Sequence, residues 1–247
     1  MAKPQEIPAA TVIVMREGAG APELLMVERA AAMSFAGGAL VFPGGRIDPG
    51  DHTLAATLEG DPDDLAARIG AVRETLEEAG VAVGIDVPAQ VIPDLGRRLY
   101  AGETLAALLA EVGGHLRLDD LVPFARWVPQ GVSHKVFDTR FYLARAPQGA
   151  EPVVDGNENV RVFWMSAQGV IDAADRGEAT IIFPTRRNLE RLALFGSYAD
   201  AVSDARAHEA RTVTPWVENR EGVDHLCIPD DLGYPVTSQP LAEAMRA

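Results

Sequence analysis

Three glutamates in one short stretch constrain this chain more than any other feature. Glu74, Glu77 and Glu78 lie at i, i+3 and i+4 within residues 71–81, so an α-helix would place them on one face. Like charges at that spacing repel one another, and either solvent or a bound cation has to accommodate them. Carboxylate oxygens are the ligands that hard cations such as Mg2+ prefer. We therefore predict a helix here, ended by Gly80 in a left-handed conformation.

A glycine-rich turn precedes this helix in the sequence. Residues 42–45, Phe-Pro-Gly-Gly, end an apolar run and permit a tight turn. Asp61 is a candidate N-cap, with Pro62 at the first helical position. On the side away from the glutamates the helix would carry Leu65, Ile69, Val72 and Leu76. One face of the helix is thus predicted to pack in the core while the other carries the chemistry.

The composition limits the size of the fold and the class of partner. The chain has 247 residues, 47% of them hydrophobic, and no linker-like segment divides it. We predict one domain over residues 1–247, with a core at about 8–196 and a C-terminal extension at 197–247. The formal net charge is -14, which disfavours binding to nucleic acid. Phosphates can still bind if metal ions lie between them and the protein.

The one cysteine and the N-terminal sequence indicate the cellular compartment in which the protein is found. Cys227 has no partner for an intramolecular disulfide, and we expect it to pack as a small hydrophobic residue in a strand. The N-terminus lacks the apolar core of a signal peptide. No run approaches the length of a membrane span. The expectation is a cytoplasmic protein with no membrane partner.

Periodicity and turn residues predict a mixture of strands and helices. The predicted strands are residues 9–15, 23–28, 39–42, 121–128, 139–144 and 160–165, with weak signals at 213–217 and 226–229. The predicted helices start near 61, 103, 166, 184 and 198. Residues 48–51 are interpreted as a turn, 52–62 as an irregular insert, and 84–96 as extended. This pattern favours an α+β fold or a mixed-sheet sandwich.

The glycine turn and the glutamate helix together resemble the signature of the Nudix hydrolases. Five residues separate Gly45 from Asp51, which stands where the family has glutamate, and residues 73–81 read Arg-Glu-Thr-Leu-Glu-Glu-Ala-Gly-Val. Thr75 takes a position that is usually apolar. Residues 52–72 place 21 residues where the family usually has seven. An insertion in a surface loop destabilises a fold little, because the entropic cost of closing the loop rises by only about 0.6 kcal/mol for each doubling of its length.

The long insertion resembles one branch of that superfamily, the peroxisomal acyl-coenzyme A diphosphatases. Further matches to this branch are residues 34–35 with Gly38, residues 137–141, and residues 164–166. The resemblance covers roughly residues 12–196. In a second motif of coenzyme A-cleaving members, Arg29 and Gly38 fit, but Ala36 stands where a histidine is expected.

The resemblance implies a Nudix-type α/β/α sandwich with a mixed β-sheet and extra helical insertions. It also implies a divalent cation, Mg2+ or Mn2+, held by Glu74, Glu77, Glu78 and the carbonyl of Gly44. The alternative for these glutamates is an exposed, solvated helix face.

Further residues receive roles from the same resemblance. Arg73 is expected to point away from the metals and support the loop that carries Gly45 and Asp51, with direct phosphate contact as the alternative. The expected catalytic base is Glu158 or Glu74, and the alternative for Glu158 is an exposed loop residue. The residues expected to meet substrate are Arg29, Gly45, Asp51, His134 and Lys135.

The expected function is hydrolysis of the diphosphate linkage in a nucleoside diphosphate derivative, a small-molecule substrate. Coenzyme A or acyl-coenzyme A is the leading candidate, with ADP-ribose and nucleotide sugars as alternatives. An alternative of another class is a regulatory module that binds a nucleotide without cleaving it. Homodimers are frequent among the proteins that this chain resembles, so a homodimer is a further expectation.

Overall fold

The computed structural model of this protein describes residues 6–33, 36–129, 136–154 and 158–244. The strands are β1 Glu6–Arg16, β2 Glu23–Arg29, β3 Leu40–Val41, β4 Gly44–Arg46, β5 Ile85–Asp86, β6 His115–Leu116, β7 Val122–Trp127, β8 Val136–Arg145, β9 Asn159–Ser166, β10 Thr212–Val213, β11 Trp216–Arg220, β12 Val223–Cys227 and β13 Ser238–Pro240. The helices are α1 Pro49–Ala55, α2 Pro62–Ala79, α3 Ile92–Tyr100, α4 Leu105–Val112, α5 Ala167–Asp175, α6 Phe183–Leu192, α7 Tyr198–Ala207 and α8 Leu241–Ala244.

A mixed β-sheet forms the centre of the fold. Its strands run in the order β10-β7-β8-β1-β2-β3, with β4 paired to β1 and β9 paired to β2. Strand β1 lies parallel to β8, whereas β1–β2 and β7–β8 are antiparallel. The α+β class and the mixed sheet predicted from the sequence are confirmed.

Helices cover both faces of this sheet, because the strand residues alternate between two apolar clusters. Val12 and Val14 of β1 pack in one cluster with Val72 and Leu76 of α2. Ile13 and Met15 of the same strand belong to the other cluster, which includes α5, α6 and α7. Successive strand residues point to opposite faces of a sheet. The result is the predicted α/β/α sandwich.

Helix α1 corrects the interpretation of residues 48–51 as a turn and of 52–62 as an irregular insert. Asp48 is the N-cap and Pro49 opens the helix, a position where its missing N–H costs nothing. The carboxylate of Asp51 accepts a hydrogen bond from the Asp48 N–H at 2.9 Å. Only the segment after Ala55 is irregular, up to the start of α2.

The prediction that residues 84–96 are extended is wrong in its second half, where helix α3 begins. Pro93 lies in the first turn of α3, so it begins the helix rather than preventing it. Leu95 and Leu99 are buried against α2. At Gly96 a Cβ atom would lie 2.9 Å from the Leu76 carbonyl oxygen. This glycine reflects close packing between two helices rather than an extended chain.

The C-terminal segment contributes to the core. Strands β11, β12 and β13 form a small separate sheet, and Cys227 is buried on β12, as predicted. Leu226, Ile228 and Tyr234 belong to the same apolar cluster as Trp127 of the central sheet. Among the helices of the described residues, none has the length and apolar character required to cross a membrane.

Candidate active site

Helix α2 directs the three glutamates into a cleft. The carboxylate of Asp61 accepts from the Asp63 N–H at 3.0 Å and caps the helix, and Gly80 ends it at φ 63°. On the opposite face, Ile69, Val72 and Leu76 are fully buried. Because that face is fixed in the core, Glu74, Glu77 and Glu78 line the cleft together with Gly44 and Gly45.

The glycine turn predicted at residues 42–45 forms one site with the helix, although Gly44 and Gly45 themselves begin strand β4. The Gly44 N–H donates to Glu78 Oε2 at 3.0 Å. A Cβ atom at Gly44 would lie 2.5 Å from the Ala10 carbonyl oxygen, so only glycine fits against the backbone of β1 there. A Cβ atom at Gly45 would lie 2.4 Å from Glu74 Oε1 and would displace the end of that side chain.

Arg73 ties the helix to the loop that follows the glycine turn. Its Nη2 donates to Asp51 Oδ2 at 3.1 Å and to the Arg46 carbonyl oxygen at 2.8 Å. Asp51 is 2% exposed, and its carboxylate is 3.0 Å from where a Cβ atom would stand at Gly70 of α2. The close approach at Gly70 allows the shorter aspartate to reach the arginine where the family has glutamate.

Arg73 also contacts the glutamates, which corrects the expectation that it points away from them. Its Nη1 donates to Glu74 Oε1 at 2.9 Å and reaches Glu77 Oε2 at 3.5 Å. The planar guanidinium has donors on several edges, so one side chain can bind the loop and the carboxylates at the same time. Arg73 therefore sets the position of Glu74 directly.

Substituting Arg73 by lysine should lower hydrolytic activity by about 10- to 100-fold, the range typical of residues that orient metal ligands. Lysine keeps the charge but is a point donor, so it cannot hold Asp51, the Arg46 carbonyl and Glu74 at once. Steady-state kinetics on the purified variant would measure the effect. Arg97→Lys is the matched control, since the Arg97 side chain is 72% exposed. Full activity in Arg73→Lys would contradict a positioning role.

Burial changes the acidity of the glutamates. Desolvation raises the pKa of Glu74 to about 8, while the neighbouring Arg73 charge opposes this shift and Glu78 and Glu77 reinforce it. Burial likewise raises the pKa of Glu77, again opposed by Arg73. Carboxylates that are removed from water and crowded together favour a nearby cation, because a positive charge stabilises their ionised forms.

The donor set fits a hard divalent cation. Three carboxylates and the backbone of the Gly44–Gly45 turn lie along one wall of the cleft, and all of them offer oxygen ligands. In the described residues no three acidic, histidine or cysteine side chains are already placed around a single point. Arg73 and the Gly44 N–H occupy the carboxylate oxygens instead. Small side-chain rotations would have to accompany binding of an ion.

Arg29 and Glu158 flank the glutamates. Arg29 approaches Glu78 Oε1 at 3.6 Å and Glu158 Oε2 at 3.8 Å. The buried Nε of Arg29 has no hydrogen-bond partner in the part of the chain that the structure describes. The Glu158 side chain is 50% exposed, and its backbone carbonyl accepts from the Ala30 N–H at 2.8 Å. The Glu158 side chain is therefore accessible from the cleft, whereas the Arg29 side chain lines the cleft but is only 14% exposed.

Several large apolar side chains that line the cleft were not predicted as part of the site. The cleft has a volume of about 740 Å3, and its lining includes Phe42, Trp127, Phe137, Phe141, Ile182 and Pro184. Phe42 lies between β3 and β4, and the others come from strands β7 and β8 and from the start of α6. In the sequence these residues are recognisable only as large apolar side chains, a property that they share with ordinary core residues. His134 and Lys135 lie outside the described residues.

Comparisons with known proteins agree with this geometry. A crystal structure of a Nudix hydrolase from Alicyclobacillus acidocaldarius is similar, with 30% sequence identity and a TM-score of 0.72, covering 82% of this chain and 97% of that one. A Caenorhabditis elegans protein named nudix hydrolase 7 is 27% identical over 174 residues.

The two matches differ in extent. The alignment with the Caenorhabditis elegans protein covers 68% of this chain and 55% of the relative, so the chain spans about half the length of that curated relative. No protein-family model matches the chain. The match to the Alicyclobacillus structure, by contrast, runs over 97% of that protein and 82% of this chain. This chain therefore belongs to the Nudix hydrolase family.

Proposed function

We propose that this protein is a divalent-cation-dependent hydrolase that cleaves the diphosphate linkage of a nucleoside diphosphate derivative. The observation that carries the proposal is the joining of turn and helix: Gly44 and Gly45 contact Glu78 and Glu74 along one wall of a cleft large enough for a nucleotide. A solvated helix face would not need the Gly44 N–H bonded to Glu78 or the Gly45 backbone packed against the Glu74 carboxylate. The buried position of Glu78, 4% exposed, also speaks against that alternative.

The residues of the cleft would have distinct roles in this reaction. Glu74, Glu77, Glu78 and the Gly44 carbonyl would hold Mg2+ or Mn2+, which when bound neutralises the diphosphate and polarises its P–O bond. Arg73 and Asp51 would fix the position of the glutamates relative to the loop that follows Gly45. Arg29, which lines the cleft, would contact a phosphate oxygen through its guanidinium.

The geometry favours Glu158 over Glu74 as the general base that takes a proton from the attacking water. The Glu74 carboxylate is held by Arg73 and pressed against Gly45. The Glu158 side chain is half exposed and faces the cleft, so it can accept a proton and release it to solvent. Glu158 lies next to Arg29, which would keep its carboxylate directed inward.

The leading substrate is coenzyme A or an acyl-coenzyme A, and ADP-ribose and nucleotide sugars are the competing candidates. The support for coenzyme A is the long segment between Asp51 and Arg73, which resembles the acyl-coenzyme A diphosphatase branch. Phe137, an aromatic residue that lines the cleft and is only partly buried, offers a surface for stacking with a base, as any of these substrates requires.

A panel of diphosphate compounds would test the proposal. The protein is incubated with Mg2+ and coenzyme A, an acyl-coenzyme A, ADP-ribose or a nucleotide sugar, and the products are identified by mass. We expect coenzyme A to yield phosphopantetheine and adenosine 3',5'-bisphosphate. Turnover of ADP-ribose but not of coenzyme A would contradict coenzyme A as the substrate and would still support a diphosphate hydrolase. Tight binding of a panel member without cleavage of any would reject the hydrolase in favour of a binding module.

A further inference from the structure

Arg46 lines the cleft, and its side chain has no carboxylate partner among the described residues. In the same part of the chain every other arginine except Arg206 forms an ion pair with an acidic side chain, as Arg161 does with Glu28. The Arg46 side chain is exposed. The site described above uses only its backbone, since its carbonyl oxygen accepts from Arg73 Nη2. The role of the guanidinium is therefore unassigned.

The surroundings of this guanidinium are acidic. The acidic side chains that line the same cleft are Asp48, Asp51, Glu74, Glu77, Glu78, Glu103 and Glu158. A cation whose only task is to balance these charges is expected to pair with one of them, as Arg73 does with Asp51 at 3.1 Å. Arg46 forms an ion pair with none of these residues. Its charge thus remains available for an anionic ligand that enters the cleft.

Strand β4 directs the Arg46 side chain away from the proposed cation site. A Cβ atom at Gly45 would lie 2.4 Å from Glu74 Oε1, so β4 faces the glutamates at Gly45. Successive strand residues point to opposite faces, and the Arg46 side chain leaves β4 on the other side. Arg46 is accordingly better placed for a further anionic group of the ligand than for a diphosphate bound at the glutamates.

The face of the sheet that carries Arg46 also forms part of the cleft. Arg46 pairs with Ala9 of β1, and Ala9 pairs with Thr139 of β8; all three residues line the cleft. Phe137 lies two residues before Thr139, so its side chain points to the same face. Because neighbouring strands are about 4.8 Å apart, β4 and β8 lie about 10 Å apart across the small side chain of Ala9. A ribose fits over Ala9, with its base against Phe137 and a substituent towards Arg46.

We propose that Arg46 binds a phosphate monoester carried by the ribose of the substrate, at its 2'- or 3'-hydroxyl. The guanidinium offers parallel N–H donors that match two oxygens of one phosphate. This inference rests on the proposed function and adds to it a residue that selects nucleosides with a phosphate on the sugar. It does not depend on the group that is attached to the far side of the diphosphate.

Nucleotides without a diphosphate linkage test this site separately from hydrolysis. Dissociation constants for adenosine 5'-monophosphate, adenosine 2',5'-bisphosphate and adenosine 3',5'-bisphosphate are measured by calorimetry with Mg2+. A diphosphate hydrolase leaves all three compounds intact. We expect one of the bisphosphates to bind at least about tenfold more tightly than the monophosphate, because hydrogen bonds between two charged groups are the strong ones. The isomer that binds more tightly identifies the position of the phosphate.

Substitutions of two exposed arginines locate the effect. Arg46→Gln should remove the preference for the bisphosphate while changing the affinity for the monophosphate by less than about twofold. Arg46→Lys should keep part of the preference, since lysine retains the charge but not the planar fork. Arg206→Gln is the matched control, because Arg206 is the other described arginine without an ion pair and lies on α7, outside the cleft. It should alter none of the three constants.

The possible outcomes separate this inference from the proposed function. Equal affinities for the monophosphate and both bisphosphates would overturn the phosphate site, and so would the absence of binding by all three compounds. A preference for a bisphosphate that survives in Arg46→Gln would overturn it too. A preference that Arg46→Gln removes and Arg206→Gln leaves intact would support the site even if no diphosphate compound were cleaved, a result that would reject only the hydrolase.

Discussion

Glu78→Gln should reduce the hydrolysis rate by at least about 100-fold, because a cation that polarises a phosphate is worth several kcal/mol and each 1.36 kcal/mol is a factor of ten. Glutamine has the same shape, and its amide oxygen can still accept from the Gly44 N–H that now bonds Glu78 Oε2 at 3.0 Å. The substitution therefore removes one negative charge from the proposed cation site and leaves the contact with the turn.

The measurement is kcat on whichever diphosphate compound the protein cleaves, together with Mg2+ affinity by calorimetry. Glu111→Gln serves as the matched control, since the Glu111 side chain is 59% exposed on α4 and pairs with Arg98. The Glu78 variant should unfold at a temperature within a few degrees of the parent in the presence of a chelator. Unchanged turnover in Glu78→Gln would show that the Glu78 carboxylate is not required as a ligand of the cation.

Tyr234→Ala should destabilise the fold by about 3–5 kcal/mol, the usual cost of deleting a buried aromatic ring. Tyr234 is 6% exposed, and its ring packs edge-on against Trp127 with centroids 5.6 Å apart. Its hydroxyl accepts from Trp127 Nε1 at 3.0 Å and donates to Asn188 Oδ1 at 3.1 Å. The alanine variant would leave a cavity and also remove a partner from the buried indole N–H.

Chemical denaturation of the purified variants would give the free energies of unfolding. Tyr234→Phe keeps the ring and should cost only about 1–3 kcal/mol, the penalty for an unsatisfied buried polar group. Tyr100→Ala, at an exposed tyrosine, should change stability by less than about 1 kcal/mol. If Tyr234→Ala were as stable as the parent, the C-terminal segment would be dispensable for the fold, and its burial against Trp127 would contribute nothing measurable.

Local sequence patterns were sufficient to predict the elements nearest the site. Helix α2 could be predicted from both ends because its signals are local: Asp61 caps its first turn and Gly80 takes the left-handed conformation after its last. The central strands could be predicted from runs of β-branched and apolar residues such as those in β1. Helices α1 and α3 were missed because the prolines in their first turns, Pro49 and Pro93, stand close to Gly50 and Gly96, and local rules associate proline with glycine in turns and loops.

Longer-range parts of the site could not be predicted, because their signals are spread along the chain. The aromatic wall combines Phe42, Trp127 and Phe141, and nothing in the sequence separates such residues from ordinary core residues. The contact of Arg73 with Glu74 depends on where the guanidinium lies once Asp51 and the Arg46 carbonyl have taken two of its edges. The packing of Tyr234 on Trp127 joins positions 107 residues apart.

By itself the sequence determined that Glu74, Glu77 and Glu78 share one helix face, since a period of 3.6 residues follows from backbone hydrogen bonding alone. It also predicted a tight turn at residues 42–45, because the chain conformation there depends on the missing side chains, although Gly44 and Gly45 themselves begin strand β4. Only the tertiary structure decided that these glycines lie against that helix, with the Gly44 N–H bonded to Glu78 and the Gly45 backbone close to the Glu74 carboxylate. The physical reason is that β4 pairs with β1 while α2 packs against Val12 and Val14 of the same strand, and burying this shared core brings the glycines and the helix together.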